Sequence, residues 1–415
     1  MKKIFITSLI LGMGVLSNAQ QTKNVLFIGN SYTAYNNLPN LVDLVAQSVG
    51  DDLVYTAHTP GGNTLMNHAQ NNQLAQTITT EDWDYVTIQG QSQEPSFPTG
   101  QFTTETLPYA NQLVDAIKDN YACTEPVFYM TWGRENGDAG NCQFAPWLCT
   151  YEGMDDSLRA RYEYMAEVNE SLVSPVGAVW RELRDNGIPF NLYVSDGSHP
   201  SIYGSYAAAL SFYTIFFQND PTLTTYVPAG ISASDATTIK NATKSIVYDN
   251  LSDWNVGVYS VQANFTYTLD SNSITFANTS TEGETYEWIF PDNSTSTDEN
   301  PSYEFPNNGD FDIQLVATGC GKSDTITQTI TVDGLGIEDY GLNFNFYPNP
   351  VKSTLIVYIH EPLTEYKLEI FNMKGQRLQT INNTNAIDVS DLSTGEYILK
   401  VSSLKSSSVS KFMKE

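Results

Sequence analysis

The chain has 415 residues, and its 20 lysines and arginines face 47 aspartates and glutamates, giving a formal net charge of −27. A surface this acidic lacks the basic face that binds a polyanion, which disfavours nucleic-acid binding. Hydrophobic residues make up 41% of the chain and aromatic residues 12%. That is enough to bury real cores, so the composition excludes a disordered protein.

The first 20 residues are organised like a secretory signal peptide. Lys2 and Lys3 give a positive start, residues 4–16 form an apolar stretch, and residues 17–19 are small, as a cleavage site requires. The alternative interpretation is a buried first helix. The apolar stretch is shorter than the ~20 residues that span a bilayer, and no later segment reaches that length. We therefore expect a soluble, exported protein without a transmembrane segment.

Export would place the four cysteines in an oxidising compartment. Cys142 and Cys149 flank a short loop, where a local disulfide is expected. Four cysteines allow three pairings, and Cys123 and Cys320 are candidates for free thiols. The sequence has no CxxC pair and no His/Cys cluster with metal-site spacing, so we expect neither a metal nor another cofactor.

Residues 21–258 alternate short apolar runs with helical patterns. The runs 25–28, 85–88 and 127–130 are typical of strands buried on both faces. Between the second and third of these runs, apolar residues recur at helical spacing over 107–117. The alternation of strands and helices predicts an α/β domain with a parallel sheet.

Two further regions have a β character. Residues 260–333 contain short strands of alternating polarity, separated by turns rich in Asn, Asp, Gly and Pro, which predicts a small antiparallel β-sandwich. Residues 343–415 form another small unit with β patterns, and residues 334–342 are the expected linker between the two. At about 100–200 residues per domain, a chain of 415 residues is expected to have two to four domains, and these three regions fall within that range.

A candidate nucleophile directly follows the first predicted strand. Gly29, Asn30 and Ser31 stand there, and in a parallel α/β sheet the carboxyl ends of strands open into the ligand crevice. A serine at this place can present its Oγ to a substrate while its own N–H faces a developing oxyanion. The alternative is that Asn30 or Ser31 only caps the next helix.

A candidate base lies near the end of the same region, in the segment 196–200. A serine is protonated at neutral pH and needs a base close by, and that base is normally held in one tautomer by a carboxylate. Asp196 and His199 are three residues apart and can make this contact within one turn. Taken alone, the pattern is more typical of a turn that caps a helix. Its combination with Ser31 at a strand end favours catalysis.

Two loops between these motifs can complete a site. The segment 60–64 contains a glycine pair, which lets the backbone approach a ligand and offer an N–H. The segment 89–95 follows the predicted strand 85–88 and carries amide side chains that can donate to an oxyanion. The alternatives are a tight turn and a polar loop.

The order of these four motifs resembles the SGNH (GDSL-like) hydrolase family over roughly residues 21–258. Gly29, Asn30 and Ser31 stand where the family has Gly-Asp-Ser, and the segment 196–200 fits the last conserved block. The resemblance implies a flavodoxin-like three-layer α/β/α fold for this domain, followed here by two small all-β domains of the immunoglobulin-like sandwich type. Asn30 in place of Asp removes a charge beside the nucleophile.

The resemblance also implies roles for individual residues. Ser31 would be the nucleophile, His199 the general base and acid, and Asp196 the residue that orients His199. Ser31 and Gly62 would donate backbone N–H groups to the oxyanion.

The third block departs from the family pattern of Gly-x-Asn-Asp. The sequence has no Asn there, only Gly90, Gln91, Ser92 and Gln93. Gln91 is the expected third donor to the oxyanion, and Gln93 is the alternative.

The function implied is that of a secreted serine esterase acting on acylated carbohydrate or another small ester, for example in deacetylation. The carbohydrate part follows from family analogy and export rather than from residues. The rival interpretation is a non-catalytic surface protein that binds glycans or partners and has a degenerate hydrolase domain.

Residues 260–333 resemble a PKD-type domain, through the segments 286–292, 300–303 and 309–313. Trp288 is expected to be a core anchor rather than a ligand contact.

Residues 343–415 resemble the C-terminal sorting domain of the type IX secretion system. The segments that carry the resemblance are 346–350, 371–375, 392–397 and 411–414. This resemblance implies a Bacteroidetes-type bacterium, the type IX machinery as a partner, and a secreted or cell-surface location.

Overall fold

The computed structural model describes residues 20–333, 341–360, 362–363, 365–404 and 406–415. The predicted signal peptide, apart from its last residue, and most of the predicted linker lie outside the described residues. Contacts group the chain into two compact units. The first runs to Gln262 and includes the segments 281–284 and 317–324, and the second comprises the other residues from Ala263 onwards.

A five-stranded parallel sheet forms the centre of the first unit. Its strands are β1 (Thr22–Ile28), β2 (Asp52–His58), β3 (Tyr85–Ile88), β4 (Glu125–Tyr129) and β5 (Leu172–Ser174). They lie in the order β2-β1-β3-β4-β5, and every pairing is parallel. This order is that of flavodoxin-like sheets, which confirms the predicted α/β fold class. The apolar run 25–28 is fully buried, as expected for a strand covered on both faces.

Helices surround this sheet. They are α1 (Ser31–Ala34), α2 (Leu38–Gln47), α3 (Leu65–Ala69), α4 (Asn72–Ile78), α5 (Thr99–Gln101), α6 (Leu107–Asn120), α7 (Tyr151–Val168), α8 (Val176–Asp185), α9 (Ile202–Phe217) and α10 (Ala233–Ile246). Short 3₁₀ turns lie at Tyr35–Asn37, Glu94–Ser96, Pro146–Cys149, Pro221–Leu223 and Tyr248–Trp254, and a π-helical turn at Phe102–Thr106.

The two faces of the sheet are covered by different helices. Phe27 of β1 packs against Phe212 and Phe216 of α9, with ring centroids 5.7 and 6.1 Å apart. The next residue of β1, Ile28, points to the opposite face, and His58 of β2 is its partner in the register. On that face the ring of His58 lies 5.8 Å from the ring of His68, which belongs to α3. Helices α2, α8 and α10 pack with α9, and α6 packs with α3 and α7. The first unit therefore has three layers, as expected.

Helix α9 fixes the position of the turn that precedes it. Ser201 caps the helix by accepting hydrogen bonds from the N–H groups of Tyr203 and Gly204, at 3.2 and 3.4 Å. The helix is apolar on all sides and almost wholly buried, so packing rather than propensity holds it in place. A Cβ on Gly204 would lie 2.3 Å from Trp180, so glycine allows α9 to approach α8. The segment 196–200 is thus attached to a rigid element.

The region 260–333 folds into two antiparallel sheets, as predicted. Strands β6 (Phe265–Asp270), β7 (Ser273–Asn278) and β10 (Ser302–Glu304) form the sheet β10-β7-β6. Strands β8 (Thr285–Ile289), β9 (Thr295–Ser296), β11 (Gly309–Gly319) and β12 (Lys322–Val332) form the sheet β12-β11-β8-β9. Trp288 is fully buried with its ring 4.8 Å from that of Phe276, in agreement with a core role.

The C-terminal region is also an antiparallel β structure. Strands β13 (Phe344–Tyr347), β14 (Thr354–Ile359) and β17 (Ala386–Asp388) form one sheet. Strands β15 (Lys367–Asn372), β16 (Arg377–Asn382), β18 (Gly395–Ser402) and β19 (Ser407–Lys414) form another. Alternate residues of these strands meet in one apolar core, which includes Val357, Leu368 and Leu399.

Both disulfides of the structure lie in the first unit. Cys142 is bonded to Cys149, the local pair expected from the sequence. Cys123 is bonded to Cys320, so the expectation that these two are candidates for free thiols is wrong. They are 197 residues apart, and only folding brings the segment 317–324 into the first unit. Among the described residues no helix combines the length and the apolar character needed to cross a membrane.

Candidate active site

Ser31 stands just beyond the carboxyl end of β1, which lies between β2 and β3 in the sheet. It is the first residue of α1, and Asn30 caps that helix by accepting a hydrogen bond from the N–H of Tyr32 at 3.0 Å. The turn between strand and helix is tight at Gly29, where a Cβ would lie 2.2 Å from the Thr33 Oγ1 and 2.9 Å from the Gln89 Oε1. Asn30 thus caps the helix, as the alternative interpretation held, while the half-buried Ser31 still follows the strand end.

The structure brings the three residues of the proposed triad together. His199 Nε2 lies 2.9 Å from Ser31 Oγ, although the two residues are 168 positions apart. His199 Nδ1 lies 2.6 Å from Asp196 Oδ2. The other carboxylate oxygen, Asp196 Oδ1, accepts the N–H groups of Ser198 and His199, both at 2.9 Å. This is the arrangement of nucleophile, base and orienting carboxylate.

The charge of Asp196 fixes the tautomer of His199. Burial acts to raise the pKa of this carboxyl, but hydrogen bonds from the His199 ring and from the N–H groups of Ser198 and His199 outweigh it and lower the pKa. The ionised carboxylate is an acceptor only, so the Nδ1 of the neutral ring carries the proton. The Nε2 is then free to accept the proton of Ser31.

Aromatic rings hold the histidine turn against the nucleophile helix. The ring of Tyr35 stacks on that of His199 with centroids 4.9 Å apart, and Tyr32 meets it edge-on at 5.3 Å. Tyr32 in turn stacks on Trp132 at 4.9 Å. The Trp132 Nε1 donates to the backbone oxygen of Ser198 at 3.0 Å. Tyr35 was not singled out as a site residue from the sequence, since no local pattern links it to His199.

Asn30 joins the nucleophile turn to both neighbouring loops. Its Nδ2 donates to the backbone oxygens of Asn63, at 3.2 Å, and Gly90, at 2.9 Å. Its backbone N–H donates to Gln89 Oε1 at 2.9 Å. The side chain is 3% exposed. An ionised aspartate at position 30 would have no proton to donate to these carbonyl groups. The amide of Asn30 therefore provides two hydrogen bonds that the aspartate of the family pattern could not make.

The two loops contain the predicted oxyanion donors. Gly62 has φ +70°, the left-handed region that favours glycine. Gln91 Oε1 accepts the N–H groups of Gln93 and Glu94 at 2.8 and 3.2 Å, and its Nε2 contacts the Gln93 Oε1. Among the described residues, neither the Gly62 N–H nor the side chain of Gln91 or Gln93 is hydrogen-bonded to Ser31. Their roles therefore stay predictions.

A buried carboxylate holds the side chain of Gln93. Asp138 accepts hydrogen bonds from Gln93 Nε2 at 2.5 Å and Asn141 Nδ2 at 2.7 Å, and it pairs with Arg134 at 3.2 Å. Burial acts to raise the pKa of Asp138, but the hydrogen bonds from Asn141 and Gln93 and the charge of Arg134 lower it overall. The amide nitrogen of Gln93 is thus committed to Asp138, a contact that the sequence did not reveal.

Among the described residues, three side chains of types that can bind a metal ion lie together at a place away from the triad. Glu284 lies beside the sulfur atoms of Cys123 and Cys320. Those sulfurs form a disulfide, so neither is present as the thiolate that binds a metal.

Comparison with known proteins assigns the two β regions. Residues 260–333 match the model of the PKD domain, and residues 345–415 match that of the secretion system C-terminal sorting domain. No curated protein matches the chain in sequence.

Among solved structures, a DUF4886 family protein from Bacteroides uniformis is 20% identical, with a TM-score of 0.48 over 55% of this chain and 96% of its own. A candidate SGNH hydrolase from Slackia heliotrinireducens is 26% identical, with a TM-score of 0.38 over 46% of this chain and 97% of its own. The PKD1 domain of a Vibrio cholerae metalloprotease is 32% identical, with a TM-score of 0.17 over 18% of this chain and 99% of its own. From the family models, residues 260–333 belong to the PKD domain family and residues 345–415 to the secretion system C-terminal sorting domains.

Proposed function

We propose that the first unit is a serine hydrolase that cleaves carboxylic esters through an acyl-enzyme on Ser31. The observation that carries the proposal is the continuous contact from Ser31 Oγ to His199 Nε2, at 2.9 Å, and from His199 Nδ1 to Asp196, at 2.6 Å. A nucleophile within about 2.6–3.2 Å of a base, and a base oriented by a third group, is the arrangement that activates serine.

In the first step, Ser31 Oγ attacks the acyl carbon of the ester and His199 Nε2 takes its proton. The imidazolium that forms keeps its Nδ1–H on Asp196, whose negative charge stabilises it. Negative charge develops on the former carbonyl oxygen. In this proposal the N–H groups of Ser31 and Gly62 and the Gln91 side-chain amide donate to that oxygen.

In the second step, His199 returns the proton to the leaving alkoxide, and the alcohol departs from the acyl-enzyme. A water molecule then gives a proton to His199 Nε2 and attacks the acyl carbon. Collapse of the second tetrahedral intermediate frees Ser31, which takes the proton back, and releases the carboxylic acid. Apart from the ester and one water molecule, these steps use only side chains and backbone groups of this chain.

The substrate we propose is an O-acylated carbohydrate, for example an O-acetylated one. The sorting domain at 345–415 indicates export by type IX secretion, so the substrate would be met outside the cell. The side chains of His199 and Asp196 are 28% and 47% exposed. A triad open to solvent admits an ester on a bulky alcohol more readily than a triad at the end of a closed channel.

The test is hydrolysis of p-nitrophenyl acetate by the purified chain, combined with labelling by a fluorophosphonate that reacts with activated serines. We expect turnover, and labelling at Ser31 that the Ser31→Ala variant lacks. A screen of acetylated xylan, acetylated pectin, O-acetylated sialic acid and lipid esters then identifies the alcohol part.

A second candidate is a glycan- or partner-binding surface protein whose hydrolase site is degenerate. It is favoured by the absence of Asn from the third block and by the engagement of the Gln91 and Gln93 amides within their own surroundings. Neither turnover nor labelling of Ser31 in the folded protein, together with binding of one of the acetylated polymers, would support it over the esterase.

A further inference from the structure

A buried carboxylate lies beneath both loops that carry the predicted oxyanion donors. Glu94 Oε2 accepts the backbone N–H of Leu65 at 3.1 Å and that of Gln91 at 3.3 Å. Leu65 begins α3 and directly follows the segment 60–64. Glu94 is 7% exposed. Because both donors are backbone groups, this carboxylate acts on the path of the main chain in two separate segments.

The surroundings of Glu94 do not include an obvious compensating cation. Among the described residues, no Lys or Arg forms an ion pair with it. The titratable groups that face it are Glu105, from the π-helical turn, and Tyr162, from α7. Burial raises the pKa of Glu94 to about 7, against the opposing effect of the two backbone hydrogen bonds. Burying a carboxylate without a cation beside it lowers the stability of the folded state. The burial of Glu94 therefore needs an explanation other than an ion pair.

Glu94 and Asn30 contact the same two loops in complementary ways. Asn30 Nδ2 donates to the backbone oxygens of Asn63 and Gly90, and Glu94 accepts N–H groups of the same two loops. The loops are also packed closely, since a Cβ on Gly90 would lie 2.7 Å from Glu94 Oε2 and 2.8 Å from Leu65 Cγ. Each loop is therefore held at a carbonyl by one side chain and at an amide by the other.

We propose that Glu94 is a positioning residue, which fixes the backbone of the segments 60–65 and 89–93 so that Gly62 and Gln91 face the developing oxyanion. The proposal rests on the proposed esterase function. Glu94 acts through other residues and does not touch the substrate.

The proposal has kinetic consequences that a purely structural role lacks. Loss of the carboxylate misplaces donors that act mainly in the transition state, so kcat falls while KM changes little. Loss of one oxyanion donor lowers kcat by about 10²–10³-fold in another hydrolase. For partial misplacement by Glu94→Leu we expect a loss of roughly 10–100-fold. Glu94→Gln keeps an oxygen acceptor, and we expect it to stay within about threefold of the wild type at pH 6.

The dependence on pH gives a further signature. Glu94 lines a cavity of about 520 Å³ together with Thr64, Gln91 and Gln93, so protons from solvent can reach it. The carboxylate form is the better acceptor. The ratio of wild-type kcat to Glu94→Gln kcat should therefore rise as pH increases, with a midpoint near the pKa of about 7. The ratio cancels the titration of groups that the two proteins share.

The experiment compares the full-length wild type with Glu94→Leu, Glu94→Gln and the control Glu105→Gln, which removes a carboxylate from the same cavity. The kinetic measurements are kcat and KM for p-nitrophenyl acetate between pH 5.5 and 8.5. Hydrogen exchange of peptides covering 60–66 and 89–94 is measured in parallel and corrected for the intrinsic effect of pH. We expect Glu94→Leu to lower kcat and speed exchange in both peptides, and Glu105→Gln to do neither.

Unchanged kcat and unchanged exchange in Glu94→Leu would overturn the proposal. If that variant does not fold, Glu94→Gln decides: a kcat ratio and an exchange difference that are both flat with pH overturn it. A wild type that neither hydrolyses the ester nor labels with a fluorophosphonate refutes the esterase instead. The exchange data then still show whether Glu94 holds the two loops.

Discussion

The two halves of the candidate site are built differently. The proton-transfer half places Asp196 and His199 three residues apart in one turn, attached to the rigid helix α9. The oxyanion half relies on backbone in two separate loops. Asn30 contacts these loops across 33 and 60 residues, and Glu94 joins Leu65 across 29 residues to the nearby Gln91. Chemistry carried by side chains in one turn can be inferred from the sequence. Backbone N–H donors, in contrast, are positioned by residues far away in the sequence, and no local sequence pattern identifies those residues.

The first prediction tests the proton-transfer half. Ser31→Ala removes the nucleophile, and loss of the nucleophile or base in another serine hydrolase lowers kcat by about 10⁶-fold. We expect a loss of similar size in hydrolysis of p-nitrophenyl acetate, with an unchanged melting temperature. Ser198→Ala is the matched control, since that hydroxyl contacts Tyr32 rather than the triad. Activity of Ser31→Ala close to that of the control would refute the assignment of Ser31.

The second prediction concerns the orientation of His199. Asp196→Asn offers an amide that can no longer enforce the Nδ1–H tautomer, and the equivalent change in another hydrolase lowers kcat by about 10⁴-fold. We expect a comparable loss with little change in KM. The exposed Asp185, which pairs with Arg181 on α8, provides the control Asp185→Asn. Equal activity of the two variants would mean that the carboxylate of Asp196 does not serve catalysis.

The third prediction sharpens the comparison within the oxyanion half. Gln91→Ala should lower kcat by about 10²–10³-fold, the effect of losing one oxyanion donor in another hydrolase. Gln93→Ala should cost less than about tenfold, because its amide nitrogen is held by the carboxylate of Asp138, whereas that of Gln91 contacts only neutral side-chain oxygens. Kinetics on p-nitrophenyl acetate compare the two, with melting temperatures to detect unfolding. The reverse order of effects would make Gln93 the donor.

Most of the fold follows from patterns in the sequence. The buried runs 25–28, 85–88 and 127–130 all became adjacent strands, because a continuous apolar run suits a sheet covered on both faces. The Cys123–Cys320 disulfide could not be inferred. Its partners belong to regions of different character, and no local rule pairs residues separated by 197 positions.

The site could be inferred only in part, for the same physical reason. Asp196 and His199 share a turn, so their contact is encoded locally, and Ser31 is marked by the end of a strand. The role of Asn30 could not be read in this way, because its partners Asn63 and Gly90 become neighbours only when parallel strands align. From the sequence, Asn30 was only a place where the family's negative charge is missing. In the structure, the Asn30 amide donates to the backbone carbonyl groups of Asn63 and Gly90.

The last prediction, the smallest, concerns acid stability on the side of the oxyanion loops. His68 lies on α3, which starts at Leu65, and it is buried. Burial, and next the neighbouring His58, lower the pKa of His68 from 6.5 to about 4. Between these two values the unfolded chain binds a proton that the folded chain does not. This contribution to stability is therefore fully present above pH 6.5 and is lost as pH falls towards 4, by up to about 1.4 kcal/mol per pH unit.

Replacement of His68 by an apolar residue should remove this dependence. The free energy of unfolding of the wild type, relative to His68→Leu, should fall by roughly 2 kcal/mol between pH 7 and pH 5. Urea titrations followed by tryptophan fluorescence measure it, because five of the six tryptophans lie in residues 83–254 of the first unit. His360→Gln, at an exposed ring of the C-terminal region, is the control. A difference between wild type and His68→Leu that stays constant with pH would show that His68 does not couple proton binding to folding.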